Sequence, residues 1–248
     1  TNDSSAGGTA YAHTINGKTY EYIGIGVYEA STKTVGGSTI LTSTSGDTPL
    51  VNQTRATFRD YANNQSVSTD GLGTDGYAMV WNFYQWELYR YCAVAVMNSW
   101  DSQSVAGNGS VYGGSPYYDT PGFLDSSGPY AGTKGDIKDG SYTQDPVKVF
   151  IENAWGSIYE FVDGITFYNW SYYIDQSAIP TDGTSGAYIN KASTTLPKYD
   201  GYGSHPSTEV MVWGMPESTS GSSTSGLYDF IWTDSAKCNL CVGGGSSN

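Results

Sequence analysis

The chain has 248 residues with 24 acidic and 11 basic side chains, a net charge of -13, and 15% aromatic residues, including 22 Tyr. That balance, with no Lys/Arg cluster, argues against a partner held by its phosphates, and no apolar run reaches the roughly 18 residues needed to span a bilayer. So many aromatics are foreign to a disordered chain, and the length can bury a sizeable core as one large domain or two small ones.

Residues 1–18 read as a flexible lead-in, Ser/Gly/Ala-rich at first, and a domain follows over 19–248. The chain starts at Thr1 rather than Met, so processing or trimming is expected and no signal peptide remains to be read. Thr19 to Tyr28, with Tyr20, Tyr22, Ile23, Ile25 and Val27, reads as a strand. Its Gly24-Ile25-Gly26 lacks the third glycine and the following helix of a dinucleotide loop, so those glycines suit a bulge or close packing. Residues 31–49 read as a Ser/Thr/Gly connector. Asn52 or Thr54 then caps a short helix, Arg55 to Asn63. After turn-forming residues 66–76, Trp81, Tyr84, Leu88, Tyr91 and Ala95 recur at helical spacing, and Cys92 and Val96 widen that face. A helix near 81–100 follows.

Val105 to Asp145 is a Gly/Ser/Pro/Tyr-rich region whose Tyr112, Tyr117, Tyr118, Tyr130 and Tyr142 imply an ordered loop, and long loops of this kind carry function. Val149 to Phe167 (VFIENAWGSIYEFVDGITF) is the densest apolar run and is expected in the interior. Tyr168 to Ile174, Glu209 to Met215 and Leu227 to Trp232 read as strands, with a Ser/Gly hinge from Glu217 to Gly226.

Candidate chemistry is sparse. Cys92 reads as a small core residue. Cys238-x-x-Cys241 has redox or half-zinc spacing, but no second pair or nearby histidines complete a site, so both read as structural. Glu160 and Asp163 could form an acid/base pair, although buried carboxylates more often accept backbone hydrogen bonds. Asp136 with Asp139, and Asp70 with Asp75, sit in Gly-rich turns that could offer oxygen to calcium, without EF-hand spacing. Solvated turn residues are the plainer reading. His13 and His205 belong to no recognisable catalytic pattern, so an enzyme is not expected. Sequons at Asn2, Asn52, Asn64, Asn108 and Asn169 suit a glycosylated surface protein and also arise by chance in such a composition.

Trp155-Gly156-Ser157-Ile158-Tyr159-Glu160-Phe161-Val162-Asp163-Gly164 resembles the G-N-V-W-E-W motif of formylglycine-generating-enzyme-like domains of the C-type-lectin fold, and the W-G-N-x-W-E-W-x-D-G form of phage-borne members. Tyr159 and Phe161 stand where that pattern has Trp. Trp86 to Cys92 resembles the W-x-x-A-x-x-Y/F-C helix of the group, with Leu88 at the usual Ala, and Cys238 to Ser246 resembles its R-G-G-S-W turn, with Val242 in place of Arg.

The resemblance implies an α+β, C-type-lectin-like domain, two helices on a small twisted antiparallel sheet with long ordered loops. Its final strands would lie beyond Asn248. It implies a scaffold core in which Trp81, Leu88, Cys92, Trp155, Ile158, Tyr159 and Phe161 meet. The group's copper-binding cysteine context is unmatched by Cys238 and Cys241, so no catalytic copper is expected. Variable proteins of diversity-generating retroelements use this scaffold to display Tyr/Ser/Asn/Gly-rich surfaces to receptors. The implied function is a displayed binding protein of a virion or cell surface, with Tyr112, Tyr117, Tyr118 and Tyr130 as ligand-contacting residues. The partner would be a protein or neutral glycan, with no nucleic acid and no membrane insertion. Calcium and homo-oligomerisation stay open. The alternatives are a structural subunit of an extracellular or virion assembly and a formylglycine-generating-type oxidase.

Overall fold

The computed structural model describes residues 11–15, 18–67, 78–107, 109, 121–128, 130–132, 146–174, 190–209, 215–222, 230–231 and 238–242. A 3-10 turn at Tyr11–His13 leads into β1 (Thr14–Ile15), β2 (Lys18–Thr19), β3 (Ser31–Val35) and β4 (Ser38–Thr42). Three helices follow, α1 (Arg55–Val67), α2 (Phe83–Met97) and α3 (Ser102–Ala106), and then β5 (Tyr130–Gly132), β6 (Val147–Val149) and β7 (Ile151–Glu152). Next come β8 (Glu160–Tyr168), β9 (Ser171–Ile174), β10 (Asn190–Thr195), β11 (Gly201–Tyr202) and β12 (His205–Pro206). The last strands are β13 (Pro216–Ser218), β14 (Phe230–Ile231) and β15 (Cys238–Val242). Helices beside small antiparallel sheets make this an α+β protein.

Contacts gather the chain into two compact units. The first holds Thr1–Ile23, Trp81–Asp101 and Val162–Leu240, the second Gly24–Val80, Ser102–Phe161 and Cys241–Asn248.

In the first unit the main sheet runs β10-β9-β8-β15. β8 and β9 form a hairpin in which Tyr168 faces Ser171, so only Asn169 and Trp170 make the turn. Both have positive φ, 47° and 61°, as a two-residue turn matched to strand twist requires. The expected single strand Tyr168 to Ile174 is therefore a strand end, a turn and a second strand. Val162, Ile165, Phe167, Tyr172 and Ile174 fill the core, and the Tyr172 hydroxyl donates to Pro216 O at 2.9 Å.

Helix α2 starts by a capping box. Asn82 Oδ1 accepts the Gln85 amide at 2.9 Å, and Gln85 Oε1 accepts the Asn82 amide at 3.0 Å. The Asp163 amide donates to Trp81 O at 3.0 Å, tying this cap to β8. Asn82→Ala should cost about 1–2 kcal/mol in chemical denaturation, because the buried Gln85 amide loses its side-chain acceptor at the helix start. A change within about 0.5 kcal/mol, as for ordinary surface substitutions, would contradict that role.

The buried face of α2 differs from expectation. Phe83, Trp86, Tyr89 and Ala93 point inward, whereas Tyr91, Cys92, Ala95 and Val96 are exposed and Leu88 is half-buried. Cys92 is thus not a core residue. Arg90 lies 4.5 Å from the centre of the Trp86 ring and 2.6 Å from Glu87 Oε1, covering the polar edge of the buried face.

In the second unit β3 and β4 close over Gly36 and Gly37, whose φ values of 56° and 86° make a tight hairpin of the expected connector. Helix α1 packs on β4 over buried Ile40 and Ala62. Thr54 caps it, its hydroxyl accepting the Thr57 amide at 3.1 Å, and it runs four residues past the expected end at Asn63. β5, β6 and β7 form a three-stranded sheet.

Other expectations also change. Residues 20–30 form no strand; Tyr22 is 80% exposed, and Ile25 and Val27 are exposed. Tyr11 is no loose lead-in, since its ring stacks on Tyr84 at 4.8 Å. Pro216–Ser218 is a strand in place of the start of a hinge, and Cys238 to Val242 is strand rather than turn.

Candidate functional site

Three of the four expected contact tyrosines, Tyr112, Tyr117 and Tyr118, lie outside the described residues, as do Tyr142, Asp70, Asp75, Asp136 and Asp139. Tyr130 opens β5, its backbone opposite Val149. Trp81, Leu88 and Cys92 belong to the first unit, and Trp155, Ile158, Tyr159 and Phe161 to the second. Trp155 is half-buried, its indole N–H donating to Gly107 O at 3.0 Å. Phe161 meets Phe58 edge to face at 5.9 Å. Tyr159 is exposed, which corrects its placement in the core.

The part of the 105–145 region that is described most fully is the turn at residues 121–128, and it is held from below. Glu152, on β7, is 2% exposed, and its carboxylate accepts three successive backbone N–H groups: Gly122 at 2.7 Å, Phe123 at 3.0 Å and Leu124 at 3.2 Å. Buried Lys148 stands opposite Glu152 across the β6–β7 pair and donates to Leu124 O at 3.2 Å. The Gly46 amide donates to Pro121 O at 2.7 Å. On the outer side, Asp125 accepts the Tyr28 and Ser45 hydroxyls on its two carboxylate oxygens. The Ser45 hydrogen bond first, then that from Tyr28, holds the Asp125 carboxyl below its usual range, so it is an anion at neutral pH. The hydrogen bond to Asp125 also raises the Tyr28 phenol. Gly122 has a φ of 100°, and a Cβ there would stand 1.9 Å from Ser45 Oγ, so only glycine lets the turn close on Ser45.

Leu124 and Pro121 are buried in this arrangement while Phe123 stands 60% exposed. Phe150, the lone residue between β6 and β7, is also exposed and has a φ of 66°, a strained conformation for a bulky side chain. Sequence reasoning leaves Glu152 as one charge in an apolar run. The signal that could have singled it out is Lys148, four residues before it.

Among the described residues, the candidate acid/base pair is split. Glu160 and Asp163 both lie on β8, three positions apart, and so point to opposite faces of the strand. Glu160 Oε2 is enclosed without a hydrogen-bond partner, and burial, then the charge of Glu29, push its carboxyl up to about 8. His205 Nδ1 lies 2.9 Å from Ser204 Oγ and 3.2 Å from Ser218 Oγ. This exposed cluster has no carboxylate on the ring among the described residues. His13 Nδ1 donates to Tyr20 O at 3.0 Å. Among the described residues no group of three or more His, Cys, Asp or Glu side chains could hold a metal ion, and no helix is long and apolar enough to cross a membrane.

No protein-family model, curated protein or solved structure matches the chain.

Proposed function

We propose that this chain is a displayed binding protein of a virion or cell surface, built on a C-type-lectin-like scaffold, which contacts its partner through the loops of residues 105–145. The observation that carries the reading is the turn at 121–128. Three backbone amides on one buried carboxylate hold an exposed phenylalanine on fixed backbone. Aromatic anchors that are rigid before contact lose little entropy on binding, which is how few residues come to dominate an interface. The Tyr-rich composition around that turn suits the same role. The partner is then a protein or neutral glycan, since a net charge of -13 repels anionic surfaces.

The test is binding of the labelled chain to intact host-type cells, repeated with Tyr112, Tyr117 and Tyr118 replaced by Ala. Saturable binding, weakened at least about tenfold in the triple variant, is the expected outcome, as for the loss of several interface aromatics. A blank cell assay, together with assembly of the chain into a particle that buries those tyrosines between copies, would favour the structural-subunit reading instead.

A further inference from the structure

Of the chain's Asn-x-Ser/Thr triplets, those at Asn52, Asn64 and Asn169 lie among the described residues. Such a triplet also arises by chance, so its surroundings decide whether a sugar can be attached. The asparagine needs room for the sugar, and a transferase must reach the hydroxyl two positions on. The three sites differ on both counts. Asn64 lies inside α1, is half-buried, and its Nδ2 donates to Thr39 O on β4 at 2.8 Å. A sugar on that nitrogen would have to part the helix from the strand. Asn169 is exposed at the tip of the β8–β9 hairpin, but Ser171, which completes its triplet, is only 4% exposed. Asn52, Gln53 and Thr54 are all exposed, in the stretch just before α1. The φ of 57° at Asn52 is a turn conformation that asparagine adopts more readily than most residues. Thr54 is held there by its cap, its hydroxyl accepting the Thr57 amide at 3.1 Å.

We propose that Asn52 is an acceptor for an asparagine-linked sugar, transferred from a sugar diphosphate by an external transferase, and that Asn64 and Asn169 are closed to one in the folded chain. In the transfer, Asn52 Nδ2 bonds to the anomeric carbon as that carbon's bond to the diphosphate breaks. The diphosphate leaves with the electron pair, and the amide gives one proton to solvent. This goes beyond the display reading, for it asks only that the folded chain meet such a transferase. A sugar at Asn52 adds neutral, hydrated bulk to the second unit and displaces no buried group.

The experiment incubates the folded full chain with a soluble asparagine-specific glucosyltransferase and uridine diphosphate glucose, and maps the modified positions by peptide mass. Synthetic peptides carrying each triplet measure the enzyme's own preference. Asn52 needs no opening of the fold, so its rate in the chain should stay within about tenfold of its peptide's. Asn64 and Asn169 react only through local opening, so each should be slower than its peptide by more than about tenfold. Asn52→Gln should leave the folded chain unmodified, whereas Thr54→Ser should keep the sugar. Protection of Asn52 in the folded chain by more than about tenfold would overturn the proposal. So would an Asn64 or Asn169 that keeps pace with its peptide, because burial would then not be what selects the site.

Discussion

Glu152→Ala should destabilise the second unit by about 3–5 kcal/mol, the range for removing one partner of a buried charged network. Three backbone amides lose their common acceptor, and Lys148 is left buried without the carboxylate opposite it. Glu152→Gln keeps an acceptor oxygen of similar shape but drops the charge, so it should cost less, about 1–3 kcal/mol. The consequence that matters for function is local. Hydrogen exchange of the Gly122, Phe123 and Leu124 amides should rise in both variants, more in Ala, because their common acceptor is weakened or removed. Denaturation midpoints unmoved by either substitution, with exchange unchanged at those three amides, would show that the clamp does not hold the turn.

The second large effect depends on pH. The Glu160 carboxyl is pushed up to about 8, first by burial and then by the charge of Glu29, whereas in the unfolded chain it titrates near 4.5. Its folded-state pKa is raised, so the folded chain keeps a proton that the unfolded chain releases. The contribution to stability is fully present below about 4.5 and is lost progressively as pH rises through about 8. The loss amounts to about 3–5 kcal/mol between those limits, because each tenfold difference in proton affinity between the folded and unfolded chain is worth about 1.4 kcal/mol. Glu160→Gln should remove this slope. The variant should match the wild type at pH 4 and exceed it in stability at pH 8.5 and above, as read by denaturant melts across the range. Parallel curves for the two proteins would place the proton elsewhere.

Much of the local structure is legible in the sequence, and the failures have physical causes. The second helix shows itself because its apolar residues recur at steps of three and four, but both of its faces satisfy that rule. Trp81, Tyr84, Leu88 and Tyr91 make one such series, and Phe83, Trp86, Tyr89 and Ala93 make the other. Period alone cannot choose between two aromatic stripes on a helix that is apolar nearly all round. The choice is made by the cap, where the Asp163 amide meets Trp81 O and sets the helix on β8. The β3–β4 hairpin escapes the sequence for a different reason. Its Thr-rich strands lack a strong apolar alternation, although Gly36-Gly37 between them is a hairpin signal.

By itself the sequence determined the α+β class, a cap at Asn52 or Thr54 for the first helix, the place of the second helix and the apolar run that becomes β6 to β8. These rest on spacing and capping between near neighbours, which the chain writes directly. Tertiary structure alone decided that Glu152 would hold a turn some thirty positions before it in the chain, at Gly122, that Glu160 would feel the charge of Glu29, and that Cys92 and Tyr159 would be exposed. A buried carboxylate takes whatever donors the fold brings to it, and its pKa follows from what surrounds it. Neither is set by the residues beside it in sequence.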